Sequence, residues 1–332
     1  MLEEKTLQLL KDKKNLLAFS GGGDSTALFF LLLKYNINFD IAIVDYGLRK
    51  QSKEEVSHAK KLANKYNLKC HLHVADKIEQ NFEASARKIR YDFFEEIIST
   101  QNYDNLLTAH HLGDRFEWML MQFCKGTGCA ELAGMQKVEE RVNYKLIRPL
   151  LNVDKSELLN YLHVEDIKYF EDETNKDESI KRNSFRHKHS QPLLSENLDG
   201  IKKSFEYLDS DKSALIEDRT PLHVADFTYF KSSNIRTNIY YIDKYLKSIG
   251  YMMSASEREL LKSKDTLVLG RKHLVNQTKN YVFIAPYIDE DIKMSKEFKE
   301  KMRTLRIEPK LRKYFYKFPE VFESLTLSLL FE

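Results

Sequence analysis

The chain has 332 residues and a formal net charge of +3, with 42% hydrophobic, 31% charged and 12% aromatic residues. That length suits two domains on a prior of ~150 residues each, and the composition is that of a globular protein with a real core. The longest uninterrupted apolar run, Ala27 to Leu33, is far short of the ~20 residues a membrane span needs.

The start, "MLEEKTLQLLKDKK", is charged and amphipathic and carries no apolar export signal. Cys70, Cys124 and Cys129 make no CxxC pair and read as reduced thiols in a cytoplasmic protein. In chain order, "NLLAF" (15–19), "FDIAIVD" (39–45), "KCHLHV" (69–74) and "NLLTA" (105–109) read as strands. Between them, "DSTALFFLLLKY", "KEEVSHAKKLANKY" and "FEASARKIRYDFFEEII" space their apolar residues as helices do. Strands alternating with helices of this length predict an α/β fold, a parallel sheet with helices on both faces. Ligands then gather beyond the carboxyl ends of the strands, where the strand order switches.

After "YKLIRPLL" (144–151), Asp154 caps a predicted helix, "KSELLNYL". An acidic stretch, "EDETNKDES" (171–179), and a basic one, "KRNSFRHKH" (181–189), follow, then a helical pattern from about 193 to about 217. Beyond "DRTP" (218–221) the alternation stops: helices around 234–249 and 254–263 precede a hairpin whose two strands pair around Lys272 to Lys279. This predicts a first domain over 1–215 and a smaller α+β domain over 216–332. Residues 293–317 hold ten Lys or Arg and three Glu, a local balance of +7. Such a block attracts polyanions, and "RKYFYKF" (312–318) interleaves aromatics able to stack on bases. A solvated terminal helix is the alternative.

The first strand runs straight into "SGGGDS". A glycine turn between strand and helix aims backbone N–H groups at one spot, and the helix dipole adds roughly half a positive charge there. Gly21, Gly22 and Gly23 let the backbone approach a phosphate, Ser20 and Ser25 donate hydroxyl hydrogen bonds, and Asp24 either holds Mg²⁺ or caps the helix. The loop has no lysine, so it is not GxxxxGK[ST], and Thr26 breaks GxGxxG.

The loop resembles the "SGGxDS" signature of the N-type ATP pyrophosphatases, the PP-loop family, with Gly23 in the variable position. That resemblance implies a grip on the β and γ phosphates of ATP, which leave together, mainly through amides, hydroxyls and Mg²⁺. Further blocks follow in order: "AIVDYGLRKQSKEE" (42–55) with Asp45, Gly47 and Arg49; "EASARKIRYDFF" (83–94); "TAHHLGDRFEWML" (108–120); "LIRPLL" (146–151); and "EDETNKDESIKRNSFR" (171–186). Together they resemble the bacterial tRNA(Ile)-lysidine synthetase family, strongly over about 14–190 and in general plan beyond. The resemblance implies that ATP adenylates the C2 oxygen of cytidine 34 in the CAU anticodon of an isoleucine tRNA. The ε-amine of L-lysine then displaces AMP. It also implies ATP contacts at Asp45, Arg182 at the active site with Asn183 supporting it, and a second domain that binds tRNA. Homodimers would fit the family.

The residues suit such chemistry. If a helix begins near His110, then His110, Asp114 and Glu117 share one face. Two carboxylates beside a histidine can attract an ammonium and accept its proton; Mg²⁺ ligation is the competing use of Asp114. His111 points off that face and reads as packing. Arg182 and Arg186, four apart, offer guanidinium forks to phosphate oxygens. Arg87, Arg90 and Arg186, with Lys310, Arg312 and Lys313, are the candidate tRNA contacts, although either Arg87 or Arg90 can instead pair with Asp92 or Glu95. The usual family form is close to H-H-x-D-D-x-x-E-T; here Gly113 replaces the first Asp and Trp118 the Thr, and Trp118 reads as core. The rival readings are a tRNA thiolase, which the lack of a CxxC pair disfavours, a small-molecule ATP ligase, and a non-catalytic nucleotide- or RNA-binding module.

Overall fold

A computed structural model of the chain describes residues 1–47, 50–78, 82–141, 143–171 and 181–330. Arg49 and most of the acidic stretch at 171–179 lie outside the described residues. The chain divides into two units, Met1–Asp209 and Ser210–Glu332.

The first unit opens with α1 (Glu4–Leu10), then alternates β1 (Asn15–Ala18), α2 (Gly23–Lys34), β2 (Phe39–Asp45), α3 (Lys50–Lys65), β3 (Cys70–Val74), α4 (Phe82–Gln101) and β4 (Asn105–Leu107). After these come α5 (Leu112–Phe123), α6 (Cys129–Leu132), β5 (Val138–Glu140), β6 (Lys145–Ile147) and α7 (Lys155–Val164). A short α8 (Lys181–Phe185) passes through a π-helical turn, Arg186–Ser190, into α9 (Gln191–Leu215). The six strands lie in the order β3-β2-β1-β4-β6-β5, parallel except for β5, which pairs antiparallel with β6. The four strands read first are all present, and β5, a three-residue hairpin arm, had no periodic signal.

The order reverses beside β1, so the crevice between the carboxyl ends of β1 and β4 is where a ligand fits such a sheet. Leu16, Leu17, Ile41, Leu106, Leu107 and Ile147 are fully buried in the strands, as a sheet covered on both faces requires. Asn15 and Asn105 are buried polar exceptions at the opposite, amino end. Asn105 Nδ2 donates to Asn15 Oδ1 at 2.8 Å, and Asn15 Nδ2 donates to the Leu10, Lys13 and Asn38 carbonyls. They tie β1 and β4 to the turns that precede β1 and β2.

In the second unit, β7 (Leu222–Val224) and β8 (Phe227–Lys231) precede α10 (Ile235–Ser248) and α11 (Ala255–Ser263). Then come β9 (Thr266–Leu269), β10 (His273–Gln277), β11 (Tyr281–Pro286), α12 (Lys296–Thr304), α13 (Pro309–Lys317) and α14 (Pro319–Leu330). The expected two-stranded hairpin is instead a three-strand meander inside a five-stranded antiparallel sheet, β7-β8-β11-β10-β9. The turn at Gly270 and Arg271, both at positive φ, splits what reads as one long strand; two consecutive positive-φ residues form the tight turn that twisted hairpins favour.

The aromatic basic segment also needs correction. Tyr314 and Phe315 are 0% and 1% exposed and pack with Phe227, Met302 and Leu311, and the Tyr314 hydroxyl donates to Asp226 Oδ1. These two are the core of this unit and are not free to stack on bases, whereas Tyr316 in the same run is 38% exposed. The lysines of the same helices lie outward, because α12 and α13 are strongly amphipathic.

Candidate active site

The glycine turn is built by its own serines. Ser25 Oγ accepts from the Ser20 amide at 3.2 Å, lies 3.1 Å from Ser20 Oγ and is 3.1 Å from the Gly22 carbonyl oxygen, to which it donates. Gly22 is the N-cap of α2. Gly21 sits at φ +79, a region a side chain rarely adopts, and its carbonyl accepts from Phe170 N at 3.0 Å, with Gly22 and Phe170 bridged in parallel. The loop therefore lies against the 169–170 segment and α7: a Cβ on Gly23 would meet Leu159 Cδ2 at 3.2 Å and Tyr169 Cδ2 at 3.4 Å. Ser20, Gly21, Gly22, Gly23 and Ser25 are thus gathered at the carboxyl end of β1, around the entrance to α2. Asp45 ends β2, where its Oδ1 accepts the Gly47 N–H at 2.8 Å.

Asp24 follows in the first turn of α2. Its Oδ2 lies 3.7 Å from His111 Nε2 and 3.6 Å from Lys155 Nζ. Its Oδ1 is buried with no hydrogen-bond partner among the described residues, an orphaned oxygen of the type a hard cation satisfies. Among the described residues no three His, Cys, Asp or Glu side chains converge to hold a metal alone. A Mg²⁺ ion at Asp24 would therefore take its other ligands from outside the described side chains, phosphate oxygens and waters being usual for this ion.

His111, read as packing, lies between two acids, and His110 keeps an electrostatic interaction with Asp114. The helix after β4 begins at Leu112, with His111 as its N-cap, so His110 stands before the helix and not on its face. His111 Nδ1 accepts the Gly113 N–H at 3.0 Å, and Asp114 Oδ2 accepts the His111 N–H at 3.2 Å, a reciprocal cap. With Nδ1 accepting, the ring proton is on Nε2, which faces Asp24 and lies 3.6 Å from Asp114 Oδ2. His111 is 5% exposed and bridges the two acids. The only signal in the sequence was its position before "LGD", an N-cap position seldom filled by histidine. His110 Nδ1 is 2.9 Å from Thr108 Oγ1. Its burial, reinforced by Arg148, Arg87 and Arg182 against the pull of Asp114, lowers its pKa to about 4. It is neutral at pH 7.

Gly113 has a physical reason to stand where the family pattern has Asp. A Cβ there would meet His111 Cε1 at 2.8 Å and Nδ1 at 3.0 Å, so any side chain would push the imidazole aside. Trp118 is 46% exposed and lies against Gly134 at φ +64, 3.0 Å from where a Cβ would stand. It is a surface residue, contrary to the core position its helix suggests, because α5 buries Leu112 and Phe116 against Leu194 and Phe205 of α9 instead.

Asp114 and Glu117 are together, but two arginines hold them. Arg182 Nε donates to Glu117 Oε1 and its Nη2 lies 3.2 Å from Asp114 Oδ1; Arg186 Nε donates to Glu117 Oε2 at 2.8 Å. Burial alone would raise the Asp114 pKa, yet the neighbouring histidines and Arg182, with the His111 amide, bring it down to about 2. Asp114 and Glu117 are thus both engaged by arginine in this structure. Burial likewise works against Arg182, and Glu117 and Asp114 outweigh it, holding its pKa above the ordinary value. Arg182 also approaches Glu83 of α4 at 3.9 Å, and the neighbouring Asn183 is buried.

Arg87 stacks on Tyr91 at 4.8 Å, and Arg90 is exposed on the same helix. Neither takes the acids suggested for them: Lys88 pairs with Asp92 at 2.5 Å, and Glu95 accepts the Tyr144 hydroxyl at 3.0 Å. In the second unit Lys310 is exposed, Arg312 Nε donates to the Ile307 carbonyl and Lys313 Nζ to the Glu290 carbonyl, each at 2.8 Å. None of Cys70, Cys124 and Cys129 is in a disulfide. No helix among the described residues is long and apolar enough to cross a membrane.

A glycine turn opening a helix at the sheet's switch point, with a partly orphaned carboxylate one residue inside, defines a nucleotide site of the PP-loop class, and the PP-loop domain family matches residues 1–193. The U34-tRNA thiolase NcsA of Methanococcus maripaludis, solved with its 4Fe-4S cluster, has a related fold. The TM-score is 0.54 at 20% identity, over 75% of this chain and 86% of that one, a likeness of fold alone. In sequence, tRNA(Ile)-lysidine synthase of Helicobacter pylori is 43% identical over 93% of this chain and 91% of its own length. Those of Wolinella succinogenes (44%, over 92% and 94%) and Campylobacter jejuni (41%, over 95% and 96%) are similar throughout as well. The chain belongs to the tRNA(Ile)-lysidine synthase family, and it is an ATP-using enzyme.

Proposed function

We propose that this enzyme forms lysidine at cytidine 34 in the CAU anticodon of an isoleucine tRNA, by adenylation and then displacement. The C2 oxygen of the cytosine attacks the α phosphorus of ATP and the bond to pyrophosphate breaks. The ε-amine of L-lysine then forms a bond to C2, the C2–O bond breaks and AMP leaves. What carries this reading is the loop from Ser20 to Ser25, whose backbone and hydroxyls line a spot suited to the two leaving phosphates. In this reading Asp24 would hold a Mg²⁺ ion, which would supply positive charge to the leaving phosphates.

The remaining roles follow from position. Arg182, held by Glu117 and Asp114, supplies positive charge where adenylation accumulates negative charge. Arg186 supports it from the same acids. Neutral His110 and the capped His111 keep Asp114 and Asp24 in place. Arg87 and Arg90 on α4, with Lys310, Arg312 and Lys313 in the second unit, contact the tRNA backbone.

The test is AMP release by the purified protein given ATP, each amino acid and each tRNA transcript in turn. Release is expected only with L-lysine and the CAU-anticodon isoleucine tRNA together. Release driven by glutamine, ammonia or a sulfur donor would replace this reading with a rival from the same fold, and ATP binding without any AMP release would mean a non-catalytic module.

A further inference from the structure

We infer that Lys155 is the phosphate-binding cation of this nucleotide site, supplied by α7 because the glycine loop has none of its own. The inference deepens the proposed function and rests on its reading of the loop as a clasp for the leaving phosphates. No Lys or Arg occurs between Ala18 and Lys34. A P-loop places its lysine inside the loop to reach the β and γ phosphates; here that charge must come from elsewhere.

Lys155 stands at the right place. Its Nζ is 3.6 Å from Asp24 Oδ2, and Asp24 lies in the first turn of α2, where the free N–H groups converge. Lys155 is the first residue of α7, and that position is fixed on both sides. Behind it, Asp154 caps the helix: its Oδ2 accepts from Ser156 N at 2.9 Å, while Glu157 Oε1 accepts from Asp154 N at 3.4 Å. Beside it, Leu159 of the same helix is in van der Waals contact with the Gly23 position. Helix and loop are therefore seated together, and the Nζ-to-loop distance follows from that packing.

The pair is also open to a ligand, with side-chain exposures of 41% for Lys155 and 31% for Asp24. An ion pair that accessible adds little stability, so its placement beside the loop is better explained by a ligand than by folding. Arg182 and Arg186 are bound to Glu117 and Asp114, and among the described residues neither forms an ion pair with Asp24 at the loop. Among the described residues Asp24 is the one carboxylate within ion-pair distance of Lys155. A cation and phosphates arriving at Asp24 would leave the ammonium free to bond the same phosphate oxygens. Lys155 therefore binds the pyrophosphate end of the nucleotide and makes no contribution at the adenosine end.

Calorimetric titration of the full chain with Mg²⁺–ATP, Mg²⁺–pyrophosphate and AMP tests this. Losing one charged hydrogen bond predicts that Lys155→Met weakens ATP and pyrophosphate by about tenfold or more. AMP affinity and the melting temperature should stay unchanged, and Lys155→Arg should keep most of the wild-type affinity. ATP and pyrophosphate affinities within about twofold of wild type, or an equal loss for AMP, would overturn the assignment while leaving the loop's role intact. A wild-type protein that bound neither ATP nor pyrophosphate would overturn the loop's role as well.

Discussion

His111 rests directly on the backbone of Gly113: its Nδ1 accepts the Gly113 N–H at 3.0 Å, and a Cβ on Gly113 would lie 2.8 Å from its Cε1. The absence of a side chain at 113 is what lets the imidazole stand between Asp24 and Asp114. Gly113→Ala and Gly113→Asp should therefore fail alike, since the clash comes from the first carbon. Each should cost about 1–3 kcal/mol from overpacking and lower ATP–pyrophosphate exchange by about tenfold or more through the displaced Asp24 contact. Thermal unfolding and exchange assays on the two variants check this; a fully active Gly113→Asp would show that the ring's position does not matter.

The Arg182–Glu117 contact predicts a separation of activity from folding. Arg182→Ala should lower turnover by on the order of a hundredfold or more, the scale for removing a group that stabilises developing charge. Its stability cost should stay below the ~3–5 kcal/mol of a buried charge left alone, because Arg186 still bonds Glu117 Oε2 at 2.8 Å. Removing both arginines should then cost more than the two single changes added together. Urea unfolding of the three variants measures the difference.

The buried histidine sets an acid limit on stability. His110 has its pKa lowered from 6.5 to about 4. Between those values the unfolded chain binds a proton that the folded chain refuses, so stability falls as pH drops from about 6.5 towards 4. Asp114, lowered from 3.8 to about 2, contributes stability above 3.8 and extends the loss to lower pH. His110→Asn should flatten the upper part of that limb and leave the lower part. Unfolding free energies measured across pH 4 to 7 decide it, and an identical slope in the variant would remove His110 as the cause.

In the second unit, core and surface of the basic helices should respond differently. Tyr314→Ala or Phe315→Ala opens a cavity in the core and should cost ~3–5 kcal/mol. Lys299→Gln with Lys310→Gln changes exposed residues and should leave the melting temperature unaltered. If these lysines touch tRNA phosphates, the salt dependence of tRNA binding should shallow by about one unit of slope per lost contact. Binding isotherms at several salt concentrations give the slope; an unchanged slope would make the block structural.

How much of this was readable in advance depended on whether a residue's role is local. The four parallel strands, α2 and the Asp154 cap announce themselves through periodicity and capping chemistry, which act over a few residues. The boundary near residue 215 was set by the end of a helical pattern, whereas the compact units meet at Asp209–Ser210, inside α9. β5, β7 and the split of β9 from β10 had weak signals, since three- to five-residue strands take their order from partners distant in sequence. Trp118 misled because a helix's buried face is chosen by what it packs on.

By itself, the sequence determined the glycine turn after β1, the dipole of α2 behind it and the side chains offered to a phosphate, because backbone freedom and helix capping are properties of neighbouring residues. Only the tertiary structure decided that His111 stands between Asp24 and Asp114, that Asp114 and Glu117 hold two arginines, and that a lysine from α7 stands beside Asp24. Those contacts join strand ends and helices far apart in the chain, and the electrostatics of each group is set by what the packed sheet brings within a few ångströms of it.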